Sequence, residues 1–246
     1  MYLKLYYTWK YGCKFTLLQS NLKPVSNIFF MPEIQVAQIR NIIFDLGGVL
    51  LNINPLLSLL EFARISKTDP EELKNRLASE RVFEKFDTGA LSPDGFGAEL
   101  CRIMDYKASD TQIDDAWNVL LLDFPPERVE LLKQLRNNYR VFLLSNTNII
   151  HFWKYSNDFY EEYGIPMADM FDTLFLSYEI GIHKPDAGIY THVLQNAGLK
   201  AEECIFIDDS KANVDAARTL GMSGIHIVDG NDVTSYFDRG KLKHSD

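Results

Sequence analysis

The sequence predicts an α/β fold: a doubly wound, parallel-sheet, Rossmann-like core with a small helical cap domain inserted after the first strand. Short runs of apolar, β-favouring residues alternate with helical patterns, which is typical of a parallel sheet covered by helices. Each run is nearly continuous in apolar character, as expected for a strand buried on both faces. The runs are Asn41–Asp45, Arg140–Ser145, Thr173–Leu176, Cys204–Asp208 and Ile225–Val228.

The segment between the first two runs, from Leu51 to about Leu122, is too long for one crossover helix and predicts the cap. Helix starts occur at Asn54-Pro55, at Thr68-Asp69-Pro70-Glu71 as a capping box, at Ser92-Pro93, and near Asp110 for a helix that reaches Leu122. We expect residues 53–122 to form this cap, and residues 39–52 and 123–240 to form the core. The cap would then cover the carboxyl end of the first strand, where ligands bind in open α/β sheets.

Three further helices are expected to cover the sheet. Pro125-Pro126 opens the crossover helix that follows the cap, and Pro185 opens a helix that runs to about Asn196. Ser210 is the expected N-cap of a helix from Lys211 to Leu220. Each strand therefore has a helical connection to the next, as a parallel sheet requires.

The composition indicates a globular protein and argues against two classes of partner. The chain has 246 residues, of which 46% are hydrophobic and 24% charged, and its formal net charge is −9. Such a charge argues against a nucleic-acid or anionic-membrane surface. No apolar run approaches the roughly 20 residues of a membrane-spanning helix. Three widely spaced cysteines exclude a disulfide framework, so we expect a cytoplasmic protein. We also expect either a monomer or a homodimer.

The N-terminal segment differs from the rest of the chain. Its first thirty residues are dense in aromatic side chains, and lysines or polar residues interrupt every apolar run. A secretory signal needs an uninterrupted apolar stretch and a small-residue cleavage site, so this pattern does not match one. We expect residues 1–38 to be an N-terminal extension, in which either residues 1–30 are poorly ordered or Met31 is the natural start.

Asp45 is the first residue with a chemical interpretation, because it ends an apolar strand and two glycines follow it closely. Gly47 and Gly48 let the backbone approach a ligand, offering N–H groups to phosphate oxygens and a carbonyl to a metal. A carboxylate can accept a phosphoryl group and divide one hard displacement into two easier ones. A lone aspartate before glycines is more often a turn former or helix cap. The functional interpretation therefore depends on what the other strand ends carry.

Three other segments supply matching groups. Ser145 and Asn146 follow the second strand and can hold a phosphate oxygen, although each is also a common helix cap. Lys184 precedes a proline and provides a fixed cation, although it resembles an ordinary surface lysine. Asp208 and Asp209 end the fourth strand, and a pair of buried carboxylates requires a cation such as Mg²⁺. Only the ordered combination favours phosphoryl transfer over these structural explanations.

This ordered set resembles the motifs of the haloacid dehalogenase-like (HAD) hydrolase superfamily. The motifs are FDLGGVL at 44–50, LSNTN at 144–148, HKP at 183–185 and FIDDS at 206–210. The resemblance spans about Ile42 to Phe237. It implies a hydrolase with a Rossmann-like core, a small mobile cap, and Mg²⁺ as cofactor. The implied substrate is a small phosphorylated metabolite.

The resemblance also implies a role for each motif residue. Asp45 would be the nucleophile and a Mg²⁺ ligand. The other implied metal ligands are the Gly47 carbonyl and Asp209, with Asp208 beside it. The implied phosphate-binding groups are Ser145, Asn146, Lys184 and the backbone at Gly48.

Gly47 is a departure from most phosphatases of the superfamily, which carry a second aspartate two residues after the nucleophile. A positioned acid or base is typically worth about 10²–10⁴ in rate, so its loss matters. A subgroup that resembles bacterial α-D-glucose-1-phosphate phosphatases also has glycine here. We therefore hypothesise a sugar 1-phosphate, or another ester with a good leaving group, as substrate.

Two alternatives remain open at this point. A 2-haloacid dehalogenase of the same superfamily also lacks the second aspartate and needs no metal, but Asp208 and Asp209 would repel its acidic substrate. A non-catalytic phosphate-binding regulator would keep the scaffold without the acid/base. Retention of both Asp45 and Lys184 argues against that second alternative.

Overall fold

A computed structural model describes residues 38–228 and 230–243, and its centre is a five-stranded parallel sheet. The strands are β1 (Asn41–Phe44), β2 (Arg140–Ser145), β3 (Thr173–Leu176), β4 (Cys204–Asp208) and β5 (Ser223–His226). Their order is β3-β2-β1-β4-β5, so the first strand lies in the middle and the chain winds to either side of it. A separate short hairpin contains β6 (Phe237–Asp238) and β7 (Lys241–Leu242). The predicted fold class is confirmed.

Five helices follow β1 and form what we term the helical insert. They are α1 (Pro55–Ser66), α2 (Pro70–Glu80), α3 (Val82–Asp87), α4 (Pro93–Met104) and α5 (Asp110–Asn118). Their inward side chains form a hydrophobic cluster of their own, which contains Phe62, Leu73, Phe86, Phe96 and Trp117. The insert therefore does not depend on the sheet for its core. The domain limits given above remain a prediction.

Five more helices complete the fold. They are α6 (Pro126–Leu135), α7 (Ile149–Tyr163), α8 (Ser177–Ile180), α9 (Ala187–Ala197) and α10 (Lys211–Thr219). Helices α6 and α7 share a hydrophobic cluster with Ile42 and Phe44 of β1, whereas α9 and α10 share another with Ile43. Alternate residues of a strand point to opposite faces, so the sheet is covered on both sides.

One predicted capping motif differs from the observed one. Asp69 caps α2 by accepting hydrogen bonds from the N–H groups of Glu71 and Glu72. The capping box lies instead at the start of α5, where Ser109 and Gln112 bond reciprocally. The carboxylate of Asp69 reaches both N–H groups, and the predicted box starting at Thr68 is wrong for that reason.

Three other boundaries shift by two to four residues. Helix α5 ends at Asn118 rather than at Leu122. Helix α9 begins after Asp186, whose side chain accepts from the N–H of Gly188, rather than at Pro185. Ser210 is the N-cap residue of α10, as predicted, but its side chain makes no capping bond. The last strand ends at His226, which pairs with Asp208, because β4 ends there.

Two adjacent linkers join the helical insert to the sheet. Asn52 and Leu122 are paired through their backbones, and the N–H of Asn54 donates to the carbonyl of Leu120 at 2.8 Å. Ile53 forms an antiparallel bridge with Leu121. The chain therefore enters and leaves the insert through the same short ladder.

Within the described ranges, no helix combines the length and apolar character needed to cross a membrane. The expectation for the N-terminal extension falls outside these ranges, apart from Gln38 at its end.

Candidate active site

The predicted site residues lie at the carboxyl edge of the sheet. Asp45 directly follows β1, Ser145 ends β2, and Asp208 ends β4 with Asp209 after it. Because β1 lies between β2 and β4, Asp45 is flanked by the ends of both neighbouring strands. Parallel strands bring their carboxyl ends to one edge, which explains how distant segments of the chain meet.

Lys184 is the centre of the polar network at this edge. Its Nζ atom donates to Asp45 Oδ1 at 2.7 Å, to Asp208 Oδ2 at 2.8 Å and to the carbonyl of Leu144 at 2.8 Å. The residue is only 1% exposed. Burial lowers the pKa of Lys184, but the charges of Asp208 and Asp45 more than reverse this effect, so the pKa lies above its ordinary value. The ammonium group is therefore a permanent charge whose three donors are all directed.

Asp208 is held from several directions. Its Oδ1 accepts from the N–H of Ser210 at 2.7 Å, and the amide of Asn213 donates to both carboxylate oxygens at 3.0 Å. Together with the bond from Lys184, these contacts satisfy a fully buried carboxylate. Asp208 therefore holds Lys184 in place. Both of its carboxylate oxygens already accept hydrogen bonds, so it lies beside the predicted metal ligands rather than offering a free oxygen.

Asn213 was not predicted from the sequence. It lies in the first turn of α10, five residues after Asp208, and is buried. A helix that starts beside a buried carboxylate directs its first-turn side chains toward that carboxylate. An asparagine five residues after the aspartate is therefore the sequence feature that could have indicated this contact. Many asparagines occupy such positions only as caps, so the signal is weak.

The pKa of Asp45 lies above its ordinary value. Burial raises the pKa of Asp45, Lys184 opposes the rise and Asp208 adds to it, giving a value of about 6. With Asp209 adjacent, three carboxylates face one ammonium group. The excess negative charge is what a divalent cation would neutralise.

The acidic residues fit a magnesium ion. One oxygen from each of Asp45, Asp208 and Asp209 lies within 4.8 Å of the others. Mg²⁺ prefers hard oxygen ligands and commonly takes one or two carboxylates together with water and substrate phosphate. The donor set and its charge thus match this metal. The Gly47 carbonyl as a ligand remains a prediction.

Gly48 is required by the backbone and by its neighbour. Its φ is +81°, and a Cβ at this position would lie 2.6 Å from Oδ2 of Asp209. A side chain here would strain the turn and push the carboxylate away. The glycine therefore lets the loop after β1 approach Asp209 closely, and the predicted phosphate contact of its N–H is untested.

Ser145 ends β2 and Asn146 follows it; both line the cleft, and Ser145 is buried. The amide of Asn146 bonds to the backbone of Lys184 twice, accepting from its N–H at 2.8 Å and donating to its carbonyl at 3.0 Å. The Asn146 side chain therefore holds the loop that carries Lys184. Phosphate binding by these two residues remains a prediction.

A cleft of about 1290 Å³ lies between this edge and the helical insert. Gly47, Gly48, Ser145, Asn146 and Asp209 line it from the core, and residues of the insert line the other side. The volume exceeds the roughly 300–1,000 Å³ of typical small-molecule pockets. A ligand bound at Asp45 would therefore extend toward the insert.

The insert also contacts the core beside the cleft. The backbone carbonyl of Asp87 accepts from Ser177 Oγ at 2.5 Å, and its carboxylate accepts from the amide of Asn148 at 2.9 Å. Asp87 ends α3, a helix that the sequence did not predict. These polar contacts join the two parts of the molecule close to the candidate site.

Comparison with known proteins agrees with this arrangement. A family model for haloacid dehalogenase-like hydrolases matches residues 39–221. D-ribitol-5-phosphate phosphatase of Bacteroides thetaiotaomicron is 28% identical over 195 residues, covering 79% of this chain and 94% of that protein. A sesquiterpene phosphatase of Aspergillus oryzae is 30% identical, covering 76% and 89%.

Solved structures show the same relationship. A HAD-family enzyme of Bacteroides thetaiotaomicron in complex with magnesium and inorganic phosphate superposes with a TM-score of 0.76 and 34% identity, covering 81% of this chain and 100% of that one. A 2-haloacid dehalogenase of Pseudomonas syringae, at 17% identity and a TM-score of 0.53, shares the fold alone. With the family model spanning most of the chain and the four motifs meeting at one sheet edge, this chain belongs to the haloacid dehalogenase-like hydrolase family.

Proposed function

We propose that the protein is a Mg²⁺-dependent phosphatase of small phosphorylated metabolites that works through an aspartyl-phosphate on Asp45. The observation that carries the proposal is the contact of one buried lysine with both Asp45 and Asp208, with Asp209 beside them at the mouth of a cleft. Phosphatases among the relatives, and a magnesium and phosphate complex of a structural neighbour, support it.

In the first step, a carboxylate oxygen of Asp45 attacks phosphorus while the ester oxygen departs with the bonding electrons and takes up a proton. Water then attacks the acyl phosphate, which releases inorganic phosphate and restores the carboxylate. Asp45 and Asp209 are the proposed direct ligands of Mg²⁺. When bound, Mg²⁺ supplies charge that offsets the phosphate oxygens.

Lys184 and Asp208 prepare this site. Lys184 keeps the Asp45 carboxylate oriented and adds a fixed positive charge where phosphoryl oxygens would lie. Asp208 holds Lys184 and is itself held by the N–H of Ser210 and the amide of Asn213. Neither needs to reorganise during the reaction, which is how preorganised charge accelerates phosphoryl transfer.

Gly47 limits the leaving groups that the enzyme can serve without help. The position carries no carboxylate, so protonation of the departing oxygen is not supplied from there. An anomeric hydroxyl is more acidic than a simple alcohol, and on this ground a sugar 1-phosphate is a proposed substrate. D-ribitol-5-phosphate phosphatase and the sesquiterpene phosphatase, both similar to this chain, are named for esters of different alcohols and do not select one substrate.

The test is phosphate release from a panel that includes sugar 1-phosphates and the matching 6-phosphates, with and without Mg²⁺. We expect turnover by the wild type to require Mg²⁺, and Asp45→Asn to lose essentially all of it because an amide is a poor nucleophile. Asp94→Asn, an exposed change on α4, is the control and retains activity. Equal kcat/KM for the 1- and 6-phosphates rejects the leaving-group argument, and equal rates for wild type and Asp45→Asn reject the mechanism.

A regulator that binds phosphate without turnover is the second candidate, favoured by the missing carboxylate at position 47. It would bind inorganic phosphate with Mg²⁺ and release none from any ester in the panel. A metal-independent dehalogenase is disfavoured, since three clustered carboxylates would repel a haloacid. We also propose a cytoplasmic location from the sparse cysteines, and a monomer or homodimer as the assembly.

A further inference from the structure

We infer that the substrate is the phosphate ester of an apolar alcohol, with an aliphatic or aromatic body, and that the helical insert binds this apolar body. The inference rests on the proposed function, because it assumes that the phosphoryl group is held at Asp45. It selects an ester with an apolar body over the sugar 1-phosphate proposed above, because the hydroxyls of a sugar would lie against an apolar wall.

The wall of the cleft contributed by the helical insert and its linkers is largely apolar. Its lining includes the side chains of Leu56, Leu59, Phe83, Leu120, Leu121 and Leu122. By contrast, the core contributes the glycines and the polar groups of the candidate site. A phosphate monoester has the same division, with a charged end and an organic body. The cleft thus matches an ester whose body gains by leaving water.

Four of the five charged side chains on this wall form ion pairs with one another, and the fifth, Asp87, accepts from the amide of Asn148. Lys74 pairs with Glu71 at 2.8 Å, and Arg81 pairs with Glu84. Both pairs are formed within the insert, three residues apart in sequence. A polar ligand would have to compete with these contacts for either charge.

Most of the neutral polar groups that line the cleft on the insert and on α7 are hydrogen-bonded within the protein. Ser58 Oγ and His151 Nε2 both donate to the carbonyl of Trp117, at 2.8 and 3.1 Å. Asn54 accepts from the N–H of Leu56 as the cap of α1. Two exceptions among the described residues are the indole Nε1 of Trp117 and the hydroxyl of Tyr155, which are buried and have no hydrogen-bond partner. A site for a polyol must hydrogen-bond its hydroxyls, because each buried hydroxyl without a partner weakens binding.

Large apolar side chains also surround the mouth of the cleft. Leu56, Leu122 and Val228 are 41%, 46% and 45% exposed and all line it. Apolar side chains grouped at a cleft opening, rather than scattered singly, mark a ligand-binding surface. The same cleft is also lined by Gly47, Gly48 and Asp209 of the candidate active site. The ligand of this surface is therefore inferred to be the organic body of the ester whose phosphoryl group lies at Asp45.

The first experiment compares n-alkyl phosphates from methyl to decyl with glucose 6-phosphate, below the critical micelle concentration and with Mg²⁺. All are esters of primary alcohols, so leaving-group acidity stays nearly constant. We expect kcat/KM to rise by up to about 4-fold for each methylene that enters the cleft. Decyl phosphate should exceed glucose 6-phosphate. A flat or falling series, with glucose 6-phosphate turned over as well as decyl phosphate, overturns the inference and leaves the proposed function intact.

The second experiment uses two matched variants in α1. Leu56→Gln and Leu60→Gln change residues that are 41% and 44% exposed, but only Leu56 lines the cleft. We expect Leu56→Gln to raise KM for decyl phosphate by about 3-fold or more while leaving methyl phosphate unchanged. Leu60→Gln should change neither value. Equal effects of the two variants contradict the inference.

A binding measurement separates failure of the inference from failure of the proposed function. Decylphosphonate and methylphosphonate, which cannot be hydrolysed at the carbon–phosphorus bond, are titrated calorimetrically into the wild type with Mg²⁺. Tighter binding of decylphosphonate, weakened by Leu56→Gln only, supports the apolar site even if no ester is hydrolysed. Equal binding of the two phosphonates rejects it, whatever the turnover. Equal ester hydrolysis by wild type and Asp45→Asn instead rejects the mechanism.

Discussion

Gly47 stands two residues after the proposed nucleophile, and a Cβ at this position would lie 2.9 Å from Cδ1 of Ile53. That contact involves the far end of a flexible side chain, so Ile53 can yield by changing rotamer. The loop after β1 therefore has room for a carboxylate that the sequence does not supply. Whether it would act there depends on its reach to the leaving oxygen.

We expect Gly47→Asp to raise kcat for alkyl phosphates, whose leaving groups need a proton, by about 10-fold or more. Esters with acidic leaving groups should gain much less, since protonation matters less for them. Steady-state kinetics on both classes measures the difference. Gly47→Asn adds nearly the same volume without an acid and is the control. A similar response to both variants would mean that volume, not proton transfer, produced the change.

The sequence identified the candidate site better than the contacts within it. Asp45 and Asp208 were assigned from their positions at strand ends, which the sheet brings together, and Lys184 reaches both from the loop after α8. The partners of Asn146 and Asn213 were not foreseen. An amide can donate and accept in several directions, and its choice depends on the placement of loops that no local pattern defines.

At the scale of elements, α7 meets the insert through His151. Its Nε2 donates to the carbonyl of Trp117 on α5, and its Nδ1 faces the amide of Asn148 at 3.3 Å. Burial lowers the pKa of His151 to about 4, although the Trp117 carbonyl opposes the shift. The neutral ring satisfies both contacts, whereas a protonated ring would direct an N–H at another donor.

This pKa shift predicts acid sensitivity. The unfolded chain binds a proton at His151 below its ordinary pKa of 6.5, and the folded chain does so only near pH 4. The contribution to stability is therefore present above pH 6.5 and is lost as pH falls between these values. We expect the free energy of unfolding of the wild type to drop between pH 7 and pH 5 by about 2 kcal/mol more than that of His151→Gln. Urea denaturation at both pH values checks this, and parallel losses would contradict it.

Elements with strong local signals were predicted well, and their boundaries less so. The strands are almost wholly apolar, so their positions could be assigned to within two residues. The break between α2 and α3 was missed because Arg81, with φ +52°, adopts a left-handed conformation that its residue type does not announce. Helix α3 is also only one and a half turns long, too short for a periodic pattern to be recognised.

For the whole molecule, the clustered carboxylates predict that metal binding and folding are linked. Three of them meet in a chain whose net charge is already −9, and separation on unfolding would relieve their repulsion. A ligand that binds only the folded state adds about 2.7 kcal/mol at one hundred times its dissociation constant. We expect Mg²⁺ to raise the free energy of unfolding by this amount. Urea denaturation with and without the ion measures it.

The carboxylate at position 209 should be necessary for most of this effect. Asp209→Asn removes a charge from the cluster, whereas Asp94→Asn removes one from an exposed position on α4. The first variant should respond weakly to Mg²⁺ and the second like the wild type. Equal stabilisation of both would show that the ion binds elsewhere or screens charge in general.

The topology followed from the sequence because alternating strands and helices leave few arrangements for a parallel sheet. Occupancy of the cleft did not follow, because selectivity depends on side chains that converge from separate helices and linkers. Leu56 and Leu122 are far apart in the chain, and they line the same cleft because the ladder holds the two linkers side by side.

That ladder has a consequence for how such enzymes diversify. The chain enters the insert at Asn52 and leaves it at Leu122, and these two residues are hydrogen-bonded through their backbones. The segment between them can therefore be replaced by another insert while the two linkers stay paired. Recombination at these two adjacent linkers would combine a different substrate-binding insert with the same active-site residues. The type of reaction and the substrate specificity can thus evolve independently.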